Sequence, residues 1–180
     1  MSLRTSALGN ALLGLIEQQP LSGYDLRKLF SATPLTTMSD SPGAIYPALK
    51  RLERKGLISG RIEGAGLRRR RVFRLTARGL AELKKWLSQP VTRDDLVHRT
   101  DELILRFGFM SRVLGEEGAV GFLRGLEREL GFYIPELKRF LSAQPRMPAS
   151  GRLALELGIE SYVQLRRWTK CAARAIKRAS

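Results

Sequence analysis

SDSPGAIYPALKRLERKGLISGRIEGAGLRRRRVFRLTAR, residues 39–78, decides the fold of this 180-residue chain. Ile45, Ala48, Leu49 and Leu52 recur at i, i+3, i+4 and i+7, the spacing that gathers apolar side chains on one face of a helix. Ser41 is placed to cap that helix, and Pro42 to occupy its first position, where a missing N–H costs nothing; Gly56, after Arg54 and Lys55, is placed to stop it. Gly43, Ala44, Tyr46, Pro47, Lys50 and Arg51 fall on the opposite face, where small groups permit close approach and a hydroxyl and cations reach a partner. Pro47 conflicts with a regular helix from the cap onward, since an interior proline costs about 3 kcal/mol. Either the first turn is distorted or the helix begins late. Two strand-like runs follow, residues 57–63 and 70–75, joined by Gly64-Ala65-Gly66 and four arginines, Arg68, Arg69, Arg70 and Arg71. A helix followed by a basic hairpin is the order of a winged helix-turn-helix.

Charge points to a polyanion as the partner. Residues 50–78 hold 11 Lys/Arg against 2 Asp/Glu, a net +9 of the chain's +15. Such clustering is the electrostatic footprint of nucleic-acid binding. A lone basic run is commonly a solvated face, but here it coincides with a hairpin behind a helix, which favours double-stranded DNA. The four arginines are then expected on phosphates, and Lys50 on base edges.

The 43% apolar content is that of a globular chain. Strand signal is confined to one hairpin, so the expected class is mainly α. No run of 18 or more apolar residues exists and no basic-then-apolar leader opens the chain, so a cytoplasmic protein away from membranes is expected. Residues 6–18 read as a helix with Leu8, Ala11, Leu12, Leu15 and Ile16 on one stripe. Ser22-Gly-Tyr-Asp25 has the form of a capping box opening a second helix with Leu26, Leu29 and Phe30 inward. Thr76 opens another, carrying Leu80, Leu83, Trp86 and Leu87, which ends before Pro90.

A domain boundary is expected there, with a DNA-reading head over residues 1–91 and a helical dimerisation domain over 92–180. Residues 92–141 carry 8 basic and 9 acidic side chains, so this part is expected to bind protein instead. Its stripes run through Leu96, Thr100, Leu103, Ile104 and Phe107, then Leu123 to Phe140, then Leu157, Ser161, Leu165, Trp168, Ala172 and Ala175. Pro135 predicts a kink or break near Phe132. Long amphipathic helices with too little of their own chain to bury them commonly pair with a second copy. A homodimer through Leu96, Leu103, Phe107, Leu157, Leu165, Trp168 and Ala172 is expected, with a self-contained bundle as the alternative.

The stretches LLGLIEQQPLSGYDL, SPGAIYPALKRLERKGLI and RRRRVFRLTARGLAELKKWL resemble the PadR family of bacterial transcriptional regulators, over residues 8–88. Residues 94–176 resemble, more faintly, the C-terminal domain of its larger, virulence-activator-like subgroup. The resemblance implies a dimeric winged-helix regulator, usually a repressor, whose DNA is released in some members by a small aromatic effector. It places Ser22, Gly23 and Tyr24 at the start of helix two, and Tyr46, Pro47 and Lys50 on the recognition helix, among the DNA-binding residues. Trp86, Phe107 and Trp168 are the aromatic side chains placed to stack on such an effector. Phe73 stands where the family usually has Tyr, and four consecutive arginines exceed the family pattern.

Other chemistry is poorly served. Gly64-Ala65-Gly66 lacks the third glycine and the strand-to-helix context of a phosphate loop. With one histidine, His98, and one cysteine, Cys171, no metal site and no cofactor are expected. Cys171 reads as a small core or interface residue. An architectural DNA-binding protein that uses charge alone is the main competitor to a sequence-specific regulator, and an enzyme a weaker one. Tyr24 and Tyr46 either touch DNA or pack between helices one and three.

Overall fold

A computed structural model describes residues 5–32, 42–64 and 69–179. The chain is mainly α with one small sheet and divides into two compact units, residues 1–88 and 89–180.

In the first unit, α1 (Ala7–Gln18) is capped by the Ser6 hydroxyl, which accepts from the Gly9 N–H at 3.2 Å, and buries the expected stripe together with Leu13. After Pro20 the chain forms a two-residue strand, β1 (Leu21–Ser22), and then α2 (Gly23–Ala32). The hairpin is β2 (Ile58–Glu63) and β3 (Arg70–Leu75), paired antiparallel from Ile58 opposite Leu75 to Glu63 opposite Arg70. β1 adds to the far side of β3, with Leu21 opposite Phe73, giving the order β1-β3-β2. Two residues carry too little periodicity to announce a strand. α4 (Ala77–Leu87) is capped by Thr76, whose hydroxyl accepts from the Gly79 N–H at 3.0 Å. A Cβ on Gly79 would run into the Leu57 backbone carbonyl, so this glycine lets α4 close on the start of the hairpin. Leu12, Leu13, Leu26, Ile45, Leu49, Ile58, Leu83 and Leu87 are almost wholly excluded from solvent and make the core.

α3 runs from Ile45 to Arg54, preceded by a 3-10 turn over Pro42–Ala44. Regular helix therefore begins late, which resolves the conflict at Pro47. The proline is the third helical residue, where the N–H has no intrahelical acceptor to lose. The start is Ala44, without a side-chain cap; Ser41 lies outside the described residues. The end is a Schellman motif: Gly56 at φ 67° follows the helix, the Leu57 N–H reaches the Leu52 carbonyl at 3.0 Å, and the Gly56 N–H reaches that of Glu53 at 2.8 Å. Leu52 and Leu57 are both buried at that turn.

The second unit consists of α5 (Arg93–His98), α6 (Thr100–Ser142) and α7 (Ala149–Ala179). Thr92 and Asp95 form a reciprocal capping box on α5. α6 is interrupted at Gly115, where φ 74° and ψ 177° are open to glycine but not to other residues. No break occurs at Phe132, since Pro135 lies within continuous helix. α6 and α7 lie along one another around Leu123, Leu126, Leu130, Ile134 and Ile159, joined by Glu127, which pairs with Arg166 at 3.3 Å and Lys170 at 3.4 Å. The Tyr162 hydroxyl donates to the Leu96 carbonyl at 3.3 Å. Arg106 is buried over the Phe122 ring, with a short bond to the Gln89 carbonyl; burial draws its guanidinium below its ordinary range.

Candidate nucleic-acid interface

The inward stripe of α3 fixes which residues face out. Because Ile45, Ala48, Leu49 and Leu52 are buried, Tyr46, Pro47, Lys50 and Arg51 are exposed together, with Gly43 on the preceding turn and Ala44 half-buried beside it. Tyr24 on α2 is 60% exposed and Tyr46 47%. Gly23 brings them together: a Cβ there would meet Tyr46 Cε1 at 2.6 Å, so the Tyr46 ring lies against the start of α2. The alternative of packing between α1 and α3 is not what Tyr46 does.

Between the start of α2, the outer face of α3 and β3 lies a groove of about 270 Å³. Tyr24, Tyr46, Lys50, Glu53, Arg70 and Arg71 line it, over a floor that includes Leu49 and Phe73. The arrangement sets two hydroxyls and three cations around one concave surface, which suits a phosphate-rich backbone or base edges.

Two acidic side chains enter the same surface. Asp25 Oδ2 accepts from the Ser22 hydroxyl at 2.7 Å and the Ser22 N–H at 3.0 Å, and lies 3.4 Å from Arg70 Nη1. The Ser22 hydroxyl first, then its backbone N–H, hold the Asp25 carboxyl below its ordinary range, and Arg70 adds to the effect. Glu53 Oε1 accepts from the Gly60 N–H at 3.0 Å and from Arg71 Nη2 at 2.8 Å. Further along β3, Arg74 pairs with Glu63 at 2.9 Å. The wing arginines Arg70 and Arg71 are thus exposed yet already engaged with carboxylates, and Arg69 is exposed beside them. Arg68 lies outside the described residues.

Ser22 also lines the groove but is 4% exposed, and its hydroxyl is committed to the capping box, where it positions α2. Leu96 and Leu103, expected at a dimer surface, are buried within their own unit. Phe107, Leu165 and Ala172 are half-buried, while Leu157 is 66% and Trp168 38% exposed. Of the aromatic trio, Trp86 is buried in the first unit. Phe107 meets Trp168 edge to face at 5.2 Å and stacks near Phe122 at 6.3 Å. Cys171 is exposed, contrary to a core position.

Sequence reasoning missed Asp25 and Glu53 as partners of the wing. The readable signal was Gly60 in the middle of a strand, which marks a close approach. Among the described residues, no helix is long and apolar enough to cross a membrane.

Residues 12–85 match the model of the transcriptional regulator PadR-like family. The negative transcriptional regulator PadR of Bacillus subtilis is 32% identical over 120 residues, covering 66% of this chain and 64% of that protein, so the chain spans less than two thirds of its relative's length. The crystal structure of Bacillus subtilis PadR with operator DNA is similar at 26% identity, over 94% of this chain and 98% of that one, with a TM-score of 0.43. The same protein with p-coumaric acid is similar at 23% identity, over 98% of this chain and 99% of that one, also with a TM-score of 0.43.

Proposed function

Because residues 12–85 match the PadR-like family of transcriptional regulators, we propose that this chain is a regulator of that family, a homodimeric repressor that binds an inverted-repeat operator in double-stranded DNA. The carrying observation is the groove that Tyr24, Tyr46 and Lys50 line beside the wing, with Pro47 and Arg51 exposed next to them on α3. Gly23 acts by admitting the Tyr46 ring, and Gly43 and Ala44 by keeping the approach to α3 low. Lys50 reads base edges, since an ammonium on the outer face of a recognition helix can bond guanine O6 and N7. Arg51, Arg69 and the released forms of Arg70 and Arg71 contact phosphate, which sets register and affinity without reading sequence.

One recognition helix makes few base contacts, so useful specificity requires two copies on a two-fold site, with half-site centres about 34 to 36 Å apart or a multiple of it. The exposed apolar side of α7, including Leu153, Leu157, Val163 and Trp168, is the surface that supports pairing with a second copy. Leu165 and Ala172, half-buried, flank it. A small aromatic acid is the effector class to try. The Phe107 and Trp168 edge-to-face pair supports stacking on a planar ring, and the Bacillus subtilis relative has been crystallised with p-coumaric acid.

Selection of the full chain on random duplexes tests the reading. A two-fold consensus preferred over bulk DNA by at least about 10³-fold at physiological salt is expected. Binding without preference would make the protein architectural. Adding p-coumaric acid while following tryptophan emission and operator release tests the effector, and emission that changes without release would separate the two.

A further inference from the structure

We propose that Glu53 and Asp25 are specificity-determining residues, whose carboxylates latch Arg71 and Arg70 so that the wing stands in fixed register with α3 instead of following any phosphate backbone. The inference rests on the reading of this face as a DNA interface.

Glu53 lies in the last turn of α3 and reaches across to both strands of the hairpin. One carboxylate oxygen takes the Gly60 N–H at 3.0 Å and Arg71 Nη2 at 2.8 Å. The site is cradled by an absent side chain: a Cβ on Gly60 would meet Arg71 Nε at 2.5 Å, and Glu53 Oε1 and Phe73 Cε1 at 3.0 Å. The Arg71 guanidinium then lies over the Phe73 ring at 5.6 Å. Asp25, in the first turn of α2, holds the neighbouring arginine at 3.4 Å while its Oδ2 also serves the capping box. Adjacent residues of β3 are therefore tied to the two helices that border the groove, one to the end of α3 and one to the start of α2.

The consequence follows from what each contact can discriminate. A free wing arginine gains a phosphate on any duplex, because backbone contacts carry no sequence information. A latched wing gains its phosphates only where they fall at the position α3 dictates, so preorganisation favours the duplex that fits both elements. The pairs are largely exposed, so they are weak enough to exchange for phosphate on a correct site.

The full-length variants Glu53→Gln and Asp25→Asn keep an oxygen that accepts the Gly60 or Ser22 N–H but remove the charge. Gly60→Ala displaces Arg71 from the cradle without altering any charge. Titrations on the selected operator and on a random duplex across a salt series, with thermal unfolding alongside, read the effect. Each variant is expected to tighten random-duplex binding by up to about fivefold. The slope of log affinity against log salt should steepen by about 0.9 for each freed arginine. Operator affinity changes less, so the specificity ratio falls, and adding Arg71→Ala to Glu53→Gln removes the gain. Unchanged random-duplex affinity and slope in folded variants would overturn the proposal. So would equal loss on both duplexes, or unfolding, either of which would assign the carboxylates to the fold. A wild-type chain that binds no duplex would instead sink the DNA reading itself.

Discussion

Helices α3 and α7 are both amphipathic, and they use their exposed sides for different chemistry. α3 buries every apolar residue of its stripe and shows solvent a polar, cationic face ending in Tyr46, Lys50 and Arg51. α7 buries Ile159 and Thr169 against its own unit yet leaves Leu153, Leu157 and Val163 exposed on its other sides. The first helix is complete as a folded element and offers charge. The second retains apolar area that its own chain does not cover, which is what an interface between copies needs.

The largest expected effect contrasts two leucines. Leu49→Ala should cost about 2 to 5 kcal/mol, since the side chain is almost fully buried and its loss leaves a cavity in the core. Leu157→Ala, at concentrations where the protein is monomeric, should change stability by no more than about 0.5 kcal/mol. Urea unfolding of both variants makes the comparison, with sedimentation of Leu157→Glu expected to show a folded monomer at concentrations where the wild type is dimeric. A Leu157→Glu chain that still dimerises would remove α7 from the interface.

A smaller effect sharpens the reading of α3. If regular helix began at Pro42, replacing Pro47 with Ala would relieve an interior proline and stabilise by about 3 kcal/mol. With the helix starting at Ile45, Pro47→Ala should shift stability by less than about 1 kcal/mol. Chemical denaturation distinguishes the two.

The smallest effect concerns acid. The Asp25 carboxyl is held below its ordinary 3.8 by the Ser22 hydroxyl and N–H, so its bonds contribute stability that is present above 3.8 and lost as pH falls through the lower folded value. Melting temperature in the acid limb should therefore fall more steeply for the wild type than for Asp25→Asn, and parallel limbs would place the titrating groups elsewhere.

The contrast between α3 and α7 also explains what could be read in advance. Ile45, Ala48, Leu49 and Leu52 announce α3 because a 10-residue helix has one buried side. The same logic fails on α7, where apolar residues lie on more than one side and the stripe through Leu157 and Trp168 is the exposed one. Leu96 and Leu103 were legible as apolar but not as internal, since periodicity finds a face without saying what covers it. The site was legible in its cations, which cluster in sequence, and illegible in its anions. Asp25 and Glu53 come from separate helices and meet Arg70 and Arg71 only through the pairing of β1 and β2 with β3. Gly115 was likewise invisible, because a helix break at a glycine leaves the stripe on either side intact.

The outer face of α3 as the sequence reader is tested most directly by Lys50→Ala. Wild type and variant are titrated on the selected operator, on half-site variants of it, and on a random duplex, at one salt concentration. Loss of about 1 to 3 kcal/mol on the operator, with relaxed preference at one position of each half-site and little change on random DNA, is expected. Equal loss on operator and random DNA would assign Lys50 to phosphate and contradict base reading by this face.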